Sequence, residues 1–341
     1  MSLKVGIVGA AGYAGAELIR LVLGHPEFEL VAITSNADAG QPLSAVYPSF
    51  AGVSDLVFTT HDAPELKSCN AVFLAVPHTA AMAQVRAPCR GRSCFDLSAD
   101  YRLSDPSVFE AWYAAEHTSP ELLKTRAFGL PELFCRDLET AASSHAAGKP
   151  VLVACAGCYP TATSLAAAPA VRAGWVAENG PVIVDAISGV TGAGKSCNAR
   201  THFCSADENL EAYGVGKHRH TPEIEQILGL TDRVVFTPHL APLRRGLLST
   251  VTMPLAPQTL DTLALEDVVD HYKKFYAGRT FVRVLDAGQQ PKTASVSAPT
   301  PPRSALRSTS VRACWWRRVL STICARVLRA RRSSAPTSFW L

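Results

Sequence analysis

The 341-residue chain lacks any apolar run of about 18 residues, so no segment reads as a membrane-spanning helix. Its opening Met1-Ser2-Leu3-Lys4-Val5-Gly6 lacks the charged start, apolar stretch and small-residue cleavage site of a signal peptide. The expectation is a cytoplasmic protein whose ten cysteines are thiols. Charged residues make up only 18% of the chain and apolar residues 48%, a balance that excludes disorder across the main body. No internal repeat is present. Another absence is local: residues 297–341 contain no Asp, Glu or Lys, yet hold nine Arg and three of the five Trp. The formal charge of +4 therefore divides into a basic tail and an acidic body, with 24 basic against 29 acidic residues over 1–296, a net of −5. Neither a nucleic acid nor a membrane is expected as a partner of such a body.

What is present is an alternation. Lys4–Val8 is a β-branched apolar run ending in glycines, followed by a helical pattern over 14–23 and strand-like runs at 28–33, 71–76 and 93–97. This order predicts a parallel, doubly wound α/β sheet of the Rossmann dinucleotide-binding type over residues 1–149. After a loop-rich stretch at 98–148, runs at 150–154, 182–187, 234–236, 247–253 and 280–285 have few helices between them. They predict a second, α+β domain over 150–296 with a mainly antiparallel sheet.

Gly9-Ala10-Ala11-Gly12-Tyr13-Ala14-Gly15 stands between the first strand and its helix. That context asks for a tight turn, close backbone approach to a pyrophosphate and a helix N-terminus facing the anion. The second strand ends in Thr34-Ser35-Asn36, with no carboxylate for the ribose hydroxyls, which favours NADP over NAD. A second glycine loop, Gly189–Ser196, fits the phosphate-loop pattern GxxxxGK[ST] and alone would suggest a nucleoside triphosphatase. The segment after it lacks the apolar period of the helix such a loop must start, and no later strand ends in a magnesium-holding acid.

Cys158 lies in Cys155-Ala156-Gly157-Cys158-Tyr159-Pro160-Thr161, after an apolar strand and before a helical pattern. A helix N-terminus and a nearby imidazole are what a thiolate nucleophile needs. The Cys155/Cys158 pair also reads as a redox couple or half a zinc site, although Cys89/Cys94 and Cys197/Cys204 are poorly spaced to complete one. No metal is expected. His218-Arg219-His220-Thr221-Pro222-Glu223 gathers two imidazoles, a guanidinium and a carboxylate, with Thr221 and Pro222 as a helix start.

Taken together these motifs resemble the N-acetyl-gamma-glutamyl-phosphate reductase family, within the aspartate-semialdehyde dehydrogenase group. GAAGYAG at 9–15, AVPH at 75–78, DLSADYRL at 96–103, FGLPEL at 128–133, AGCYPT at 156–161, SGVTGAGK at 188–195, HRHTPEI at 218–224, FTPHLAPLRRG at 236–246 and PKTASV at 291–296 carry the resemblance. It implies reductive dephosphorylation of an acyl phosphate through a Cys158 thioester, with NADP as cofactor and a homo-oligomer, dimer or tetramer. His218 is the first choice for the acid/base and His220 the second, with Glu223 orienting an imidazole and Arg102 or Arg245 clamping substrate. The implied cofactor residues are Gly9, Gly12, Tyr13, Ala14, Gly15, Thr34, Ser35 and Pro77, with Ser188, Gly189, Gly192 and Gly194 from the second loop. The alternatives are an aspartate-semialdehyde or lysine-pathway acyl-phosphate reductase and, outside the class, the phosphate-loop NTPase.

The resemblance stops after Val296. The family pattern continues with a Gly-Thr/Ser-Asn turn, an apolar strand and Asp-Asn-Leu-x-Lys-Gly before a final helix. Ser321–Leu328 can be encoded TCG ACA ATC TGT GCA AGG GTG CTG, and dropping two bases turns this into Asp-Asn-Leu-Cys-Lys-Gly-Ala. Residues 297–341 are therefore expected to be an aberrant, frameshifted and poorly ordered tail.

Overall fold

The computed structural model describes residues 2–85, 89, 91–260 and 262–297, together with the backbone of 309–316 and 320–326. The chain forms two compact units that divide between Ala156 and Gly157. In the first, β1 (Leu3–Val8), β2 (Phe28–Thr34), β3 (Ala71–Leu74), β4 (Ser93–Asp96), β5 (Ala127–Gly129) and β6 (Val151–Cys155) form one sheet. Its order is β2-β1-β3-β4-β6-β5 and every pairing is parallel. All four residues of β3 and of β4 are buried, as expected of strands covered on both faces. Successive side chains feed opposite cores, Phe73 and Phe95 on one face and Val72, Leu74 and Cys94 on the other. The sequence reading began its second domain at residue 150; the strand there, β6, pairs with β4 and β5 in the first sheet. Cys89 and Cys94 are joined as a disulfide, where ten thiols were expected.

The second unit holds β7 (Val182–Gly189), β8 (Glu211–Ala212), β9 (Val234–Ala241), β10 (Leu247–Met253), β11 (Val282–Val284), β12 (Thr309–Trp316) and β13 (Leu320–Arg326). The sheet order is β11-β12-β13-β10-β7-β9-β8. It is mixed, not mainly antiparallel as the sequence suggested: β7 runs parallel to β9, and β11 to β12. The reason lies in the Thr221–Leu228 helix, which falls between β7 and β9 and returns the chain to the same end of the sheet. β12 and β13 fall in the tail expected to be poorly ordered; its remaining residues, 298–308, 317–319 and 327–341, lie outside the described ones.

Alternation in β7, β9 and β10 buries Val182, Val184, Ala186, Val234, Phe236, Val251 and Met253 on one side. The other side leaves Ile183 36% and Val235 51% exposed. The helix Cys158–Arg172 is almost wholly buried from Tyr159 to Ala170, which is why its small residues show no polar stripe.

Asp96, at the end of β4, is fully buried and accepts hydrogen bonds from Ser98 N and Ser98 Oγ, each at 2.9 Å. Burial pushes its carboxyl up to about 6, from an ordinary 3.8. Between these values the folded chain binds more protons than the unfolded one, so Asp96 makes stability fall as pH rises from about 4 to 6. We expect Asp96→Asn to gain on the parent across that window, by about 3 kcal/mol at pH 7. Urea melts of both chains at pH 4 and 7 test this; a pH-independent difference would refute it.

Candidate active site

In the second unit, Gly157 has extended backbone angles and is the N-cap of the Cys158–Arg172 helix. Cys158 is therefore the first residue of a 15-residue helix, and it is exposed. A helix N-terminus, with its unpaired amides and positive dipole end, favours a thiolate. Pro160 costs nothing here, because its missing N–H belongs to the first turn. Thr161 Oγ1 donates back to Gly157 O at 2.7 Å and tightens the turn.

Glu223 enters from the first turn of the Thr221–Leu228 helix and is 1% exposed. Its Oε1 accepts the Gly157 N–H at 2.8 Å, so this carboxylate holds the backbone immediately before Cys158. Sequence reasoning gave Glu223 an imidazole to orient; the main-chain amide of Gly157 is a partner it did not foresee.

Both histidines stand beside Tyr159, whose ring centroid is 5.7 Å from His218 and 5.9 Å from His220. Phe236 and Tyr213 close the other sides of His218, at 5.1 and 5.4 Å. Burial, helped by the neighbouring Arg219 charge, lowers His218 to about 4, so its ring is neutral at pH 7. Its Nδ1 faces the His220 N–H at 3.2 Å. An amide can only donate, so Nδ1 carries no proton and the neutral ring is the Nε2–H form.

Tyr213 went unnoticed in the sequence. Its amide donates to Pro238 O at 3.0 Å beside β8, and its hydroxyl lies 3.3 Å from that of Tyr159. Arg200 stands over its ring at 5.3 Å. Burial first holds both phenols above their ordinary range, joined at Tyr159 by the Tyr213 hydroxyl and then the Cys158 charge, and at Tyr213 by the Cys158 charge. No periodicity marks Tyr213; only its position five residues before His218 could have drawn attention.

The second glycine loop extends β7. Gly189 N donates to Gly246 O at 2.9 Å, Val190 N to Leu243 O at 2.8 Å, and Thr191 Oγ1 to Arg244 O at 2.5 Å. Gly189 must lack a side chain, since a Cβ would stand 2.5 Å from Leu243 O; one on Gly192 would meet the buried Ser188 hydroxyl at 2.6 Å. Gly194 has φ +92°. The loop is thus strapped to the turn carrying the exposed Arg245. It forms a short 3-10 turn at Val190–Ala193, and the next helix, Phe203–Ala206, has four residues. A phosphate loop needs a full helix at that point.

The first unit holds the other glycine loop. Gly9 has φ +78°, and a Cβ there would stand 2.6 Å from Ala75 O; one on Gly15 would reach Ala10 O at 2.4 Å. Gly12 caps the Tyr13–Leu23 helix with no side-chain cap bond, and a Cβ there would meet only Gly9 O, at 3.8 Å. Turn, close packing and an open helix N-terminus together fit a pyrophosphate. Tyr13, Ala14 and Pro77 are exposed nearby in sequence to the C-terminal ends of β1 and β3, and Thr34 and Ser35 are buried at the end of β2. Asp38, which the sequence reading passed over, accepts the Ser35 hydroxyl at 2.6 Å. Arg102 is 5% exposed, with Nε on Cys155 O and Nη2 on Leu97 O, both at 2.8 Å.

Burial, then the Asp96 charge, pushes the Cys155 thiol up to about 12, which leaves it inert as a nucleophile. Among the described residues no group of three or more His, Cys, Asp or Glu could hold a metal ion. Nor, among them, is any helix long and apolar enough to cross a membrane.

Residues 4–141 match the family model described as semialdehyde dehydrogenase, NAD binding domain, and 158–300 match semialdehyde dehydrogenase, dimerisation domain. The chain is 42% identical over 301 residues to an N-acetyl-gamma-glutamyl-phosphate reductase of Desulforamulus reducens, covering 86% of this chain and 83% of that one. It is 44% identical over 302 residues to that of Symbiobacterium thermophilum, covering 87% and 83%. Among solved structures, aspartate semialdehyde dehydrogenase with NADP from Candida albicans aligns with TM-score 0.65 at 15% identity, over 95% of this chain and 93% of that one. At that identity the likeness concerns the fold.

Proposed function

Because the chain belongs to the N-acetyl-gamma-glutamyl-phosphate reductases of the semialdehyde dehydrogenase group, we propose that it reduces N-acetyl-gamma-glutamyl phosphate to N-acetylglutamate 5-semialdehyde with NADPH. The observation that carries the mechanism is Cys158 at a helix N-terminus, with Glu223 fixing the amide before it. The thiolate attacks the acyl carbon, the bond to the phosphate oxygen breaks, and a thioester remains on Sγ. A bound nicotinamide supplies hydride to acyl carbonyls. Collapse of the resulting hemithioacetal returns the Sγ electron pair and releases the aldehyde. His218, fixed as the Nε2–H form, is suited to donate to the carbonyl oxygen, so His220 takes the role of proton acceptor from Cys158. Arg245 binds the substrate anion, since two nitrogens of Arg102 are spent on main-chain carbonyls.

NADP is supported by the end of β2, where the nearest acid, Asp38, is engaged with Ser35 instead of standing open for a ribose diol. AGCYPT and HRHTPEI favour this substrate over those of the aspartate and lysine pathways. The half-exposed sheet face that carries Ile183 and Val235 among polar residues such as Asp185 and Thr237 is the surface we assign to a second copy in a homo-oligomer. The test of the chemistry is intact mass: acyl phosphate without nicotinamide should leave one N-acetylglutamyl adduct, on the peptide carrying Cys158. Phosphate release with no adduct would contradict the thioester.

The tail after Val296 is, in this reading, a shifted frame. Ser297–Thr300 written TCG GCA CCA ACG becomes Gly-Thr-Asn on the same two-base shift that yields Asp-Asn-Leu-Cys-Lys-Gly further on. Cys314-Trp315-Trp316 becomes Leu-Val whatever codons are used, since TGY TGG TGG leaves no other choice. Apolar residues thus replace adjacent tryptophans. Sequencing the coding DNA should find these codons; others at Ser297–Thr300 and Ser321–Arg326 would end the idea.

A further inference from the structure

A Rossmann sheet meets the adenosine ribose at the end of its second strand, and a 2′-phosphate there calls for a charge-assisted donor. No Arg or Lys adjoins Thr34–Asn36 in the sequence. The fold brings a different group in from 27 residues away. The segment ending at His61 runs beside β2, with Ser35 N on Thr59 O at 2.9 Å and Thr59 N on Ile33 O at 3.0 Å. At the strand's tip, His61 Nδ1 and the buried Thr34 Oγ1 hydrogen-bond at 2.7 Å, and the His61 amide donates to Asn36 Oδ1 at 3.0 Å. These bonds fix the half-buried ring and leave its Nε2 without a hydrogen-bond partner among the described residues. With Oδ1 engaged, Nδ2 of the exposed Asn36 is a second donor at the same place. Ser35 is spent on Asp38. The cofactor loop is tied to this tip, Ala10 N donating to Thr34 O at 2.8 Å.

We propose that His61 distinguishes NADP from NAD in this chain, its Nε2–H donating to the 2′-phosphate with Asn36 Nδ2 beside it. The proposal rests on the NADP reading above. Burial lowers the proton affinity of His61 and outweighs the opposing Asp62 charge, so the free ring is neutral near pH 7. Asp62 and Asp38 are the carboxylates at this tip, and Asp38 is held by Ser35. A dianionic phosphate on Nε2 stabilises the imidazolium, so binding takes up a proton. NADP affinity therefore rises as pH falls from 8 toward 6.5, while NAD affinity does not.

Calorimetric titration of the full chain with NADP+ and NAD+, at pH 6.5 and 8 and in two buffers of different ionisation heat, tests this. The parent should prefer NADP+ and take up protons with it alone. His61→Ala should weaken NADP+ by about tenfold at pH 6.5 and change NAD+ by less than about twofold. His61→Gln keeps a neutral donor, and should restore part of the affinity without the proton uptake. An unchanged NADP+/NAD+ ratio in both variants would overturn the proposal and leave the NADP reading standing. A parent that binds the two dinucleotides equally would overturn that reading, and the proposal with it.

Discussion

Cys158→Ser is expected to lower kcat for the acyl phosphate by at least about 10⁴-fold, with little change in folding stability. A serine hydroxyl at the same helix N-terminus stays protonated near neutral pH, and an oxygen ester is a poorer hydride acceptor than a thioester. Because Cys158 is exposed, the exchange of sulfur for oxygen leaves no cavity. The companion Cys155→Ser should keep activity within about tenfold, since that residue is half-buried and its thiol is held protonated. Steady-state rates and thermal melts of the two variants separate the roles. Equal losses would restore the reading of Cys155 and Cys158 as a working pair.

The second large effect is expected at Glu223. Its removal by Glu223→Ala leaves the buried Gly157 N–H without its acceptor, at a cost of about 2–4 kcal/mol, and frees the N-cap that positions Cys158. A misplacement of about 1 Å at the proposed nucleophile, Cys158, is enough for a loss of about 10²-fold in kcat. Glu223→Gln offers the same carbonyl-type acceptor at Oε1 and should recover most of both losses. Rescue by Gln identifies a positioning residue, because a proton-transfer role would need the carboxylate itself. Similar kcat values for the Gln and Ala variants, both far below the parent, would assign Glu223 to proton transfer instead.

Much of this was legible in the chain. Gly9 has a left-handed φ, Gly12 begins an uncapped helix and Gly15 packs on Ala10 five residues back, and those demands are local, although the carbonyl crowding Gly9 is that of distant Ala75. Cys158 could be placed at a helix N-terminus because an apolar strand, one glycine turn and a small-residue run are sequential signals. What failed to show was whatever depends on distant segments. The parallel β7–β9 pairing turns on a short helix packed between them in sequence, and β6 reads as the start of a domain only when its partners β4 and β5 are unknown. Likewise, the choice between His218 and His220 rests on one amide pointing at one ring nitrogen. Tyr213, Asp38 and His61 reach their places through turns whose direction no periodicity encodes.

The central claim is tested most directly in the oxidative direction, by following NADP+ reduction with N-acetylglutamate 5-semialdehyde and with aspartate semialdehyde, each with and without inorganic phosphate. The account predicts phosphate-dependent turnover, with kcat/KM for N-acetylglutamate 5-semialdehyde higher by at least about 10²-fold. A preference for aspartate semialdehyde, or a sustained rate indifferent to phosphate, would contradict it.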